Sequence, residues 1–221
     1  MIDAIAIDGP AGAGKSTIAK MAAKELDMIY VDTGAMYRAI AVWTHDENIP
    51  PDAEECIRDR LDSVNVTITY KDSQQRVMLN DADVTDRLRD EETGRRASVV
   101  SKHRCVREKL VSLQQELAKS SRVIMDGRDI GTRVLPEARL KIFLTASAKV
   151  RAKRRFDELK EKGVECDLDT ILEDIKKRDF ADETRKESPL KPAEDAVIVD
   201  SSEMTQEEVA ETIIRLYSGK L

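Results

Sequence analysis

Short apolar runs alternate with helix-forming stretches along this chain. Five of the runs have the length and continuous apolar character of buried parallel strands. They end at Asp or Thr, so each strand would deliver a polar group to the carboxyl edge of the sheet, where open α/β sheets bind ligands. The predicted strands are 4–8, 28–32, 122–126, 140–145 and 196–200.

The stretches between these runs carry the spacing of amphipathic helices. The longest, 94–118, has a predicted break near His103, and the last begins with a capping box formed by Thr205 and Glu208. Strands that alternate with helices predict βαβ units and a mostly parallel sheet. The predicted helices are 16–26, 36–45, 94–118, 148–162, 168–178 and 205–217.

One segment departs from this alternation of strands and helices. Val64, Val66, Ile68 and Tyr70 alternate with polar residues, a polar stretch follows, and apolar positions then resume up to Leu79. The pattern predicts an antiparallel hairpin over 64–79, inserted into the α/β frame. Since it carries no chemical motif, we interpret the hairpin as a packing or lid element.

Composition excludes several classes of protein. The chain has 221 residues, 41% of them apolar, and a net charge of −6, which disfavours a nucleic-acid polymer as partner. The three cysteines are widely spaced, which predicts reduced thiols and a cytoplasmic location. Neither a signal peptide nor an apolar run long enough to span a membrane is evident, so no membrane partner is expected.

The most specific motif follows the first predicted strand. Gly9, Gly14, Lys15 and Ser16 have the spacing of a phosphate-binding loop, between a strand and a helix as that loop requires. Such a loop points backbone N–H groups at phosphate oxygens, while Lys15 would reach the β- and γ-phosphates and Ser16 would bind Mg²⁺. The motif predicts a nucleoside triphosphate site.

Two further loops follow predicted strands and carry polar groups to the same sheet edge. The loop 32–38 offers the Thr33 hydroxyl and Arg38, or is only a strand-to-helix turn in which Gly34 provides backbone freedom. The loop 126–132 begins at Asp126, which resembles a Walker-B position, and contains Arg128 and Asp129. We expect the second loop to have a functional role rather than an ion pair alone.

Arginines are concentrated near the fourth strand. The helix that contains Arg151, Lys153, Arg154 and Arg155 is either a solvated face or a lid that supplies positive charge and excludes water. The pattern Arg178, Asp179, Asp182, Arg185 ends a second helix before a predicted loop, 182–194.

No general base is evident, since both histidines are interpreted as surface residues. An acceptor that is itself a phosphate needs none, because its oxygens are already ionised.

Nearly the whole chain resembles the bacterial cytidylate kinase family, on four motifs: 8–17, 32–38, 126–132 and 178–185. The resemblance implies transfer of the γ-phosphate of ATP to CMP or dCMP, with Mg²⁺. It also implies an α/β nucleoside monophosphate kinase fold with a five-stranded parallel sheet, a monophosphate-binding insert and an Arg-rich lid. The single domain 1–221 would comprise a core (1–32, 118–147 and 186–221), a monophosphate-binding region (33–117, with hairpin 64–79) and a lid (148–185).

The resemblance also implies roles for individual residues. The donor phosphates would be held by Gly9, Pro10, Ala11, Gly12, Ala13, Gly14, Lys15, Ser16 and Thr17, with Ser16 near Mg²⁺. The acceptor's ribose would contact Thr33 and Asp129, and its phosphate would contact Arg38 and Arg128. Cytosine would be recognised by Ser98, Arg107, Asp182 and Arg185. The catalytic charge would come from Lys15, Arg128, Arg154, Arg155 and Arg178.

Other functions stay open from the residues alone. A kinase for another small acceptor, such as AMP, UMP or shikimate, would keep the phosphate loop. Asp182 and Arg185 discriminate against it, because an adenine site needs a different set of donors and acceptors. A nucleotide-driven switch or regulatory module would keep the loop as well, but a GTPase would be expected to carry an Asn-Lys-x-Asp motif, which this chain lacks. A monomer is the expectation that the family implies.

Overall fold

The computed structural model describes residues 2–71 and 74–219, and the chain divides into two compact units. The first unit contains residues 1–30 and 118–221, and the second contains residues 31–117. Each has its own apolar core: the first is built around buried residues such as Ile5, Ile124 and Ile213, and the second around Ile40, Ile57 and Leu110. The predicted lid, 148–185, belongs to the first unit.

The strands follow the predicted apolar runs closely. All five predicted parallel strands are present, with ends that differ from the prediction by two residues at most. In chain order the strands are β1 (Ile2–Asp8), β2 (Ile29–Asp32), β3 (Val66–Lys71), β4 (Gln74–Leu79), β5 (Ala82–Asp83), β6 (Val123–Gly127), β7 (Ala138–Thr145) and β8 (Val197–Asp200).

The larger sheet has five strands in the order β2-β6-β1-β7-β8. Strand β1 pairs in parallel with both β6 and β7, and β7 pairs in parallel with β8. The central strands β1 and β6 are almost continuously buried, because helices cover both faces of a parallel sheet. The edge strands β2 and β8 are more exposed. The predicted α/β fold class, with a five-stranded parallel sheet flanked by helices, is confirmed.

Helices connect these strands. Among residues 2–71 and 74–219, none of the helices is both long and apolar enough to cross a lipid bilayer. In chain order the helices are α1 (Lys15–Glu25), α2 (Thr33–Asp46), α3 (Glu54–Leu61), α4 (Glu91–Val100), α5 (Arg104–Ser120), α6 (Ala148–Glu161), α7 (Leu168–Thr184) and α8 (Gln206–Tyr217).

Helices α2 and α7 extend beyond their predicted bounds at functionally important residues. Helix α2 begins at Thr33 rather than at residue 36, because the Asp32 side chain accepts the Ala35 N–H (3.0 Å) and caps the helix. Gly34 is therefore a helical residue and not a turn. Helix α7 continues to Thr184, so Asp182 is helical rather than part of a loop. The predicted break near His103 and the capping box of α8 are both confirmed.

The second unit contains the predicted hairpin. Strands β3 and β4 pair antiparallel, and β5 adds a short third strand that was not predicted. Val66, Val77 and Leu79 are buried in the core of this unit, as the alternation predicted. The predicted polar turn includes Asp72 and Ser73, which lie outside the described residues.

The prediction that His103 is a surface residue is wrong. This residue is buried, with only 8% of its surface exposed, and its Nε2 lies 2.7 Å from the carbonyl oxygen of Pro51. Helix α3, which was also missed, supplies Glu54 at 3.6 Å from Nδ1 of His103. The histidine therefore helps to hold together the second unit.

Candidate active site

The phosphate loop depends on glycine at its first position. Gly9 has φ +149°, and a Cβ built there would lie 1.9 Å from the carbonyl oxygen of Leu144 in β7. Only a residue without a side chain fits so close to the neighbouring strand. At the other end, Gly14 (φ +88°) precedes the first residue of α1, so the N–H groups of this helix point into the loop.

Lys15 lies over its own loop. Its Nζ donates to the carbonyl oxygen of Pro10 (2.7 Å), and only 6% of the residue is exposed. Burial lowers the pKa of Lys15 well below its usual range, and the positive charges of Arg128 and Arg178 lower this pKa further. The carboxylates of Asp126 and Asp8 act in the opposite direction. Three cationic side chains therefore converge on one place, which suits a polyanionic ligand.

Ser16, the predicted Mg²⁺ ligand, contacts Asp126. The Ser16 hydroxyl donates to one carboxylate oxygen of Asp126 (2.7 Å), and the Tyr30 hydroxyl lies 3.1 Å from the other. Strand β6 brings Asp126 beside β1, where it is buried. Hard oxygen ligands of this kind suit Mg²⁺, which binds proteins through one or two carboxylates and completes its coordination with water and phosphate oxygens. Tyr30 was missed by the sequence analysis.

Asp8 links the phosphate loop to the loop after β6. Its two carboxylate oxygens accept the N–H groups of Ile130 (2.8 Å) and Gly131 (2.7 Å). Burial raises the pKa of Asp8 to about 6, an effect that the two backbone hydrogen bonds oppose. The accepted N–H groups belong to a π-helical turn, Ile130–Val134, which directly follows Asp129. Asp8 therefore positions a predicted substrate loop, a role that its place at a strand end could have suggested.

Arg151 belongs to the predicted basic helix, but no individual role was predicted for it. Its guanidinium is buried and donates to the carbonyl oxygens of Ala11 (3.0 Å) and Ala146 (2.8 Å). The same guanidinium forms a two-point ion pair with Asp179 of α7, at 2.6 and 3.0 Å. Arg151 thereby connects the phosphate loop to the helix that carries Arg178. Its position in the first turn after β7, at the carboxyl edge of the sheet, was the available signal.

In the first unit, four residues that were predicted to bind the acceptor nucleotide form two ion pairs. Arg128 donates to Asp182 (2.9 Å), and Arg185 lies 3.9 Å from Asp129. These pairs join the loop after β6 to the end of α7, and the second pair is 7% exposed on both sides. The structure therefore brings together Arg128, Asp129, Asp182 and Arg185.

The predicted lid arginines differ in their surroundings. Arg154 donates to the backbone oxygen (2.6 Å) and hydroxyl (3.2 Å) of Ser201, next to the phosphate loop. Arg155 instead pairs with Glu158 of the same helix, and both side chains are about half exposed. Arg178 is exposed but close enough to Lys15 to lower its pKa. A pocket beside Gly14 is bordered by Arg154, Ser201 and Thr205.

The other residues that were predicted to bind the acceptor nucleotide belong to the second unit. Thr33 is the first residue of α2 and is buried, while Arg38 lies 3.6 Å from Asp32 and is one-third exposed. Arg107 is buried, donates to the Ser101 carbonyl (3.2 Å) and lies over the ring of Tyr37. Ser98, on α4, accepts a hydrogen bond from the Ser101 hydroxyl with its carbonyl oxygen (3.2 Å).

Comparisons with known proteins agree on one family. A model of the family described as "Cytidylate kinase" matches residues 5–219. The cytidylate kinase of Caldicellulosiruptor saccharolyticus is 54% identical over 213 residues, which are 96% of this chain and 94% of the relative. The cytidylate kinase of Bacillus subtilis strain 168 is 45% identical over 216 residues, or 98% and 96% of the two chains.

A solved structure also resembles the fold. The crystal structure of an uncharacterized protein from Eubacterium ventriosum has a TM-score of 0.54 and 13% identity, and covers 97% of this chain and 98% of its own. At that identity the likeness concerns the fold alone. The family match and the sequence identities extend over nearly the whole chain and include every predicted motif, so this chain belongs to the cytidylate kinase family.

Proposed function

We propose that this protein transfers the γ-phosphate of ATP to CMP or dCMP and releases ADP with CDP or dCDP. The observation that carries the proposal is the neighbourhood of Lys15. A phosphate loop, the Ser16–Asp126 oxygen pair and two further arginines surround one buried cation, within a chain of the cytidylate kinase family. This arrangement suits charge stabilisation during phosphoryl transfer.

The donor phosphates would bind to the loop from Gly9 to Thr17. Backbone N–H groups and the start of α1 would hold them, and Lys15 would move from the Pro10 carbonyl to a phosphate oxygen. Ser16 and Asp126 would hold Mg²⁺, which supplies charge neutralisation to the phosphates when bound. The pocket bordered by Arg154 and Ser201 is next to Gly14 and could take the donor's base.

The acceptor would need no general base, because its phosphate is already ionised. Arg128 would bind that phosphate, since a planar guanidinium matches two phosphate oxygens. Arg128 now pairs with Asp182, so binding would exchange one anionic partner for another. The positive charge that stabilises the phosphoryl group during transfer would come from Arg128 together with Lys15, Arg154, Arg155 and Arg178.

Asp182 and Arg185 suit cytosine. The N4 amine of cytosine is a donor that a carboxylate accepts, whereas N3 and O2 are acceptors that an arginine satisfies. Uracil has an oxygen at position 4 and a donor at N3, so it would face the carboxylate with an acceptor and leave polar groups unpaired. Sites built on such hydrogen bonds discriminate by up to about 10⁴–10⁵.

Further roles rest on the family resemblance. Thr33 and Asp129 would bind the ribose, Arg38 the acceptor phosphate, and Ser98 and Arg107 the base. Residues 33–117 would be the monophosphate-binding region, and 148–185 the lid that excludes water, a competing acceptor. A monomeric state and a cytoplasmic location are parts of the same proposal.

A phosphorylation panel tests the proposed function. The protein is assayed with Mg·ATP against CMP, dCMP, UMP and AMP, and the rate constant kcat/KM is compared across acceptors. We expect CMP or dCMP to exceed UMP and AMP by at least about tenfold. If AMP or UMP were the best acceptor, the assignment of Asp182 and Arg185 to cytosine would be wrong, and if none were phosphorylated the kinase proposal itself would fail.

A further inference from the structure

Gln75, in the inserted hairpin, binds the backbone of Asp32. Its side-chain oxygen accepts the Asp32 N–H (2.8 Å), and its side-chain nitrogen donates to the Asp32 carbonyl oxygen (3.3 Å). Both residues belong to the second unit. A primary amide can satisfy a peptide N–H and C=O of one residue at the same time, as a neighbouring strand would do. Gln75 therefore extends the hydrogen bonding of β2 at the last residue of that strand.

The hairpin holds Gln75 in this position. Alternate residues of a strand share one face, so Gln75 lies on the same face of β4 as Val77 and Leu79, which are buried in the core of the unit. Gln75 itself is half-buried and pairs in register with Tyr70. The polar side chain thus occupies the end of an otherwise apolar face, where a packing role alone would be served by another apolar residue.

Asp32, whose backbone Gln75 binds, directly precedes the residues of α2 that were predicted to bind the acceptor nucleotide. The Asp32 side chain caps α2 through the Ala35 N–H (3.0 Å) and lies 3.6 Å from the Arg38 guanidinium. A Cβ at Gly34 would lie 3.1 Å from the Asp32 carboxylate and 3.4 Å from Arg38, so glycine leaves room for this ion pair. Rotation of the Asp32 peptide would therefore move both the helix cap and the partner of Arg38.

We propose that Gln75 is a positioning residue for acceptor binding: it holds the Asp32 backbone so that Asp32 orients Arg38 at the start of α2. This inference rests on the proposed function, in which Arg38 binds the acceptor phosphate. It gives the inserted hairpin a role in substrate affinity, beyond packing. Gln75 touches Asp32 and not the reacting groups, so its effect is expected in acceptor affinity rather than in the chemical step.

Gln75→Leu removes both hydrogen bonds and keeps a side chain of similar size. We expect KM for CMP to rise about 3- to 10-fold, as loss of one or two partly buried hydrogen bonds implies, while KM for ATP changes by less than about twofold. Gln74→Leu is the matched control, because Gln74 is the adjacent, exposed residue on the other face of β4. Gln75→Glu keeps the acceptor, loses the donor and should give a smaller rise in KM than Gln75→Leu.

Amide hydrogen exchange separates positioning from a loss of structure. Gln75→Leu should accelerate exchange of the Asp32 N–H about fivefold or more, while the amides of Val77 and Leu79 keep their protection. In an Arg38→Ala background, Gln75→Leu should raise KM for CMP by less than about twofold, since the group that it positions is gone.

Three outcomes would overturn this inference. The first is an unchanged KM for CMP in Gln75→Leu despite faster exchange at Asp32. The second is unchanged exchange, and the third is an equal rise in KM for CMP and ATP. If Gln75→Leu folds poorly, Gln75→Glu gives the same comparison. If the wild-type protein prefers another monophosphate, the proposed function fails, but the KM for that monophosphate still tests Gln75.

Discussion

The phosphate loop and the start of helix α2 are both predicted to bind phosphate groups, yet they are supported in different ways. Three charged residues around the loop, Asp8, Lys15 and Arg151, are at most 6% exposed. The ion pair at the start of α2, between Asp32 and Arg38, is about one-third exposed on both sides. Its further support is an amide contact from a half-buried glutamine in the hairpin.

This difference predicts how each region responds to substitution. A buried charge that loses its partner gains no compensating hydration, so removing the partner costs several kcal/mol of stability, about 3–5. A half-exposed pair regains hydration when it separates, so its loss costs little. We therefore expect substitutions around the phosphate loop to change catalysis or stability strongly, and substitutions near α2 to change acceptor affinity moderately.

The largest effect is expected for Lys15→Ala. This substitution removes the cation at the centre of the loop, and phosphoryl transfer depends on such charges, so kcat should fall about 10²- to 10⁴-fold. KM for CMP should change much less. Lys24→Ala, an exposed residue of the same helix, is the control and should keep the wild-type kcat. Steady-state kinetics measures both, and a loss of kcat below tenfold in Lys15→Ala would refute the assigned role.

Arg151→Ala should mainly reduce stability. Breaking a buried ion pair by removing one partner costs about 3–5 kcal/mol, and here Asp179 and the Ala11 carbonyl would both lose a donor. Arg155→Ala, four residues along the same helix, breaks only the exposed pair with Glu158 and should cost at most about 1 kcal/mol. Urea unfolding measures both, and equal costs would contradict the contrast drawn between buried and exposed arginines.

Asp8 should make stability depend on pH. Its folded pKa of about 6 lies above the ordinary value of 3.8, so the folded state holds the proton more tightly than the unfolded state does. The stability that protonation contributes is therefore complete below pH 4 and lost as pH rises through 6, and amounts to about 3 kcal/mol.

Asp8→Asn removes this titration. The free energy of unfolding of the wild-type protein, minus that of Asp8→Asn, should fall by up to about 3 kcal/mol between pH 4 and pH 7. Asp8→Asn also loses one acceptor for the N–H groups of Ile130 and Gly131, which lowers its stability by an amount that does not depend on pH. A pH-independent difference would show that Asp8 does not titrate in this range.

A smaller effect is expected for Asp182→Ala. This residue would lose its contact with the cytosine N4 amine, so kcat/KM for CMP should fall about 10- to 100-fold and the preference for CMP over UMP should narrow. Arg128 also loses its partner, but it would keep the acceptor phosphate. Glu183→Ala, the adjacent exposed residue, is the control. Unchanged discrimination between CMP and UMP in Asp182→Ala would exclude a role in base recognition.

The parts of this molecule that were predicted correctly depend on nearby residues. The phosphate loop, the five parallel strands and the capping box of α8 each arise from residues within one short segment, so spacing alone identifies them. Where the prediction was incomplete, a distant group or a capping side chain decided the outcome. Asp32 caps α2 three residues before its predicted start, and the Pro51 carbonyl is a hydrogen-bond partner for the buried ring of His103.

The three arginines of α6 also have surroundings that the sequence pattern does not predict. Residues 151, 154 and 155 belong to one basic run, and nothing in that run distinguishes them. In the fold, Arg151 is buried against the phosphate loop, Arg154 contacts Ser201, and Arg155 pairs with its own helix. Arg151 and Arg155 are four residues apart and share a face of α6, so the difference comes from their position along the helix: Arg151 is in the first turn, where it contacts the phosphate loop, and Arg155 is one turn further on.

The sequence by itself determined the chemistry of this protein: a phosphate loop, polar residues at strand ends, and an excess of arginines near them. It determined these features because phosphate recognition needs particular residue types at short, fixed spacings. Only the tertiary structure decided which of the charged residues are buried and which distant partners they bind, such as Asp8 with Gly131, Arg151 with Asp179, and Gln75 with Asp32. Those pairs join segments far apart in the chain, and only folding brings their side chains within hydrogen-bonding distance.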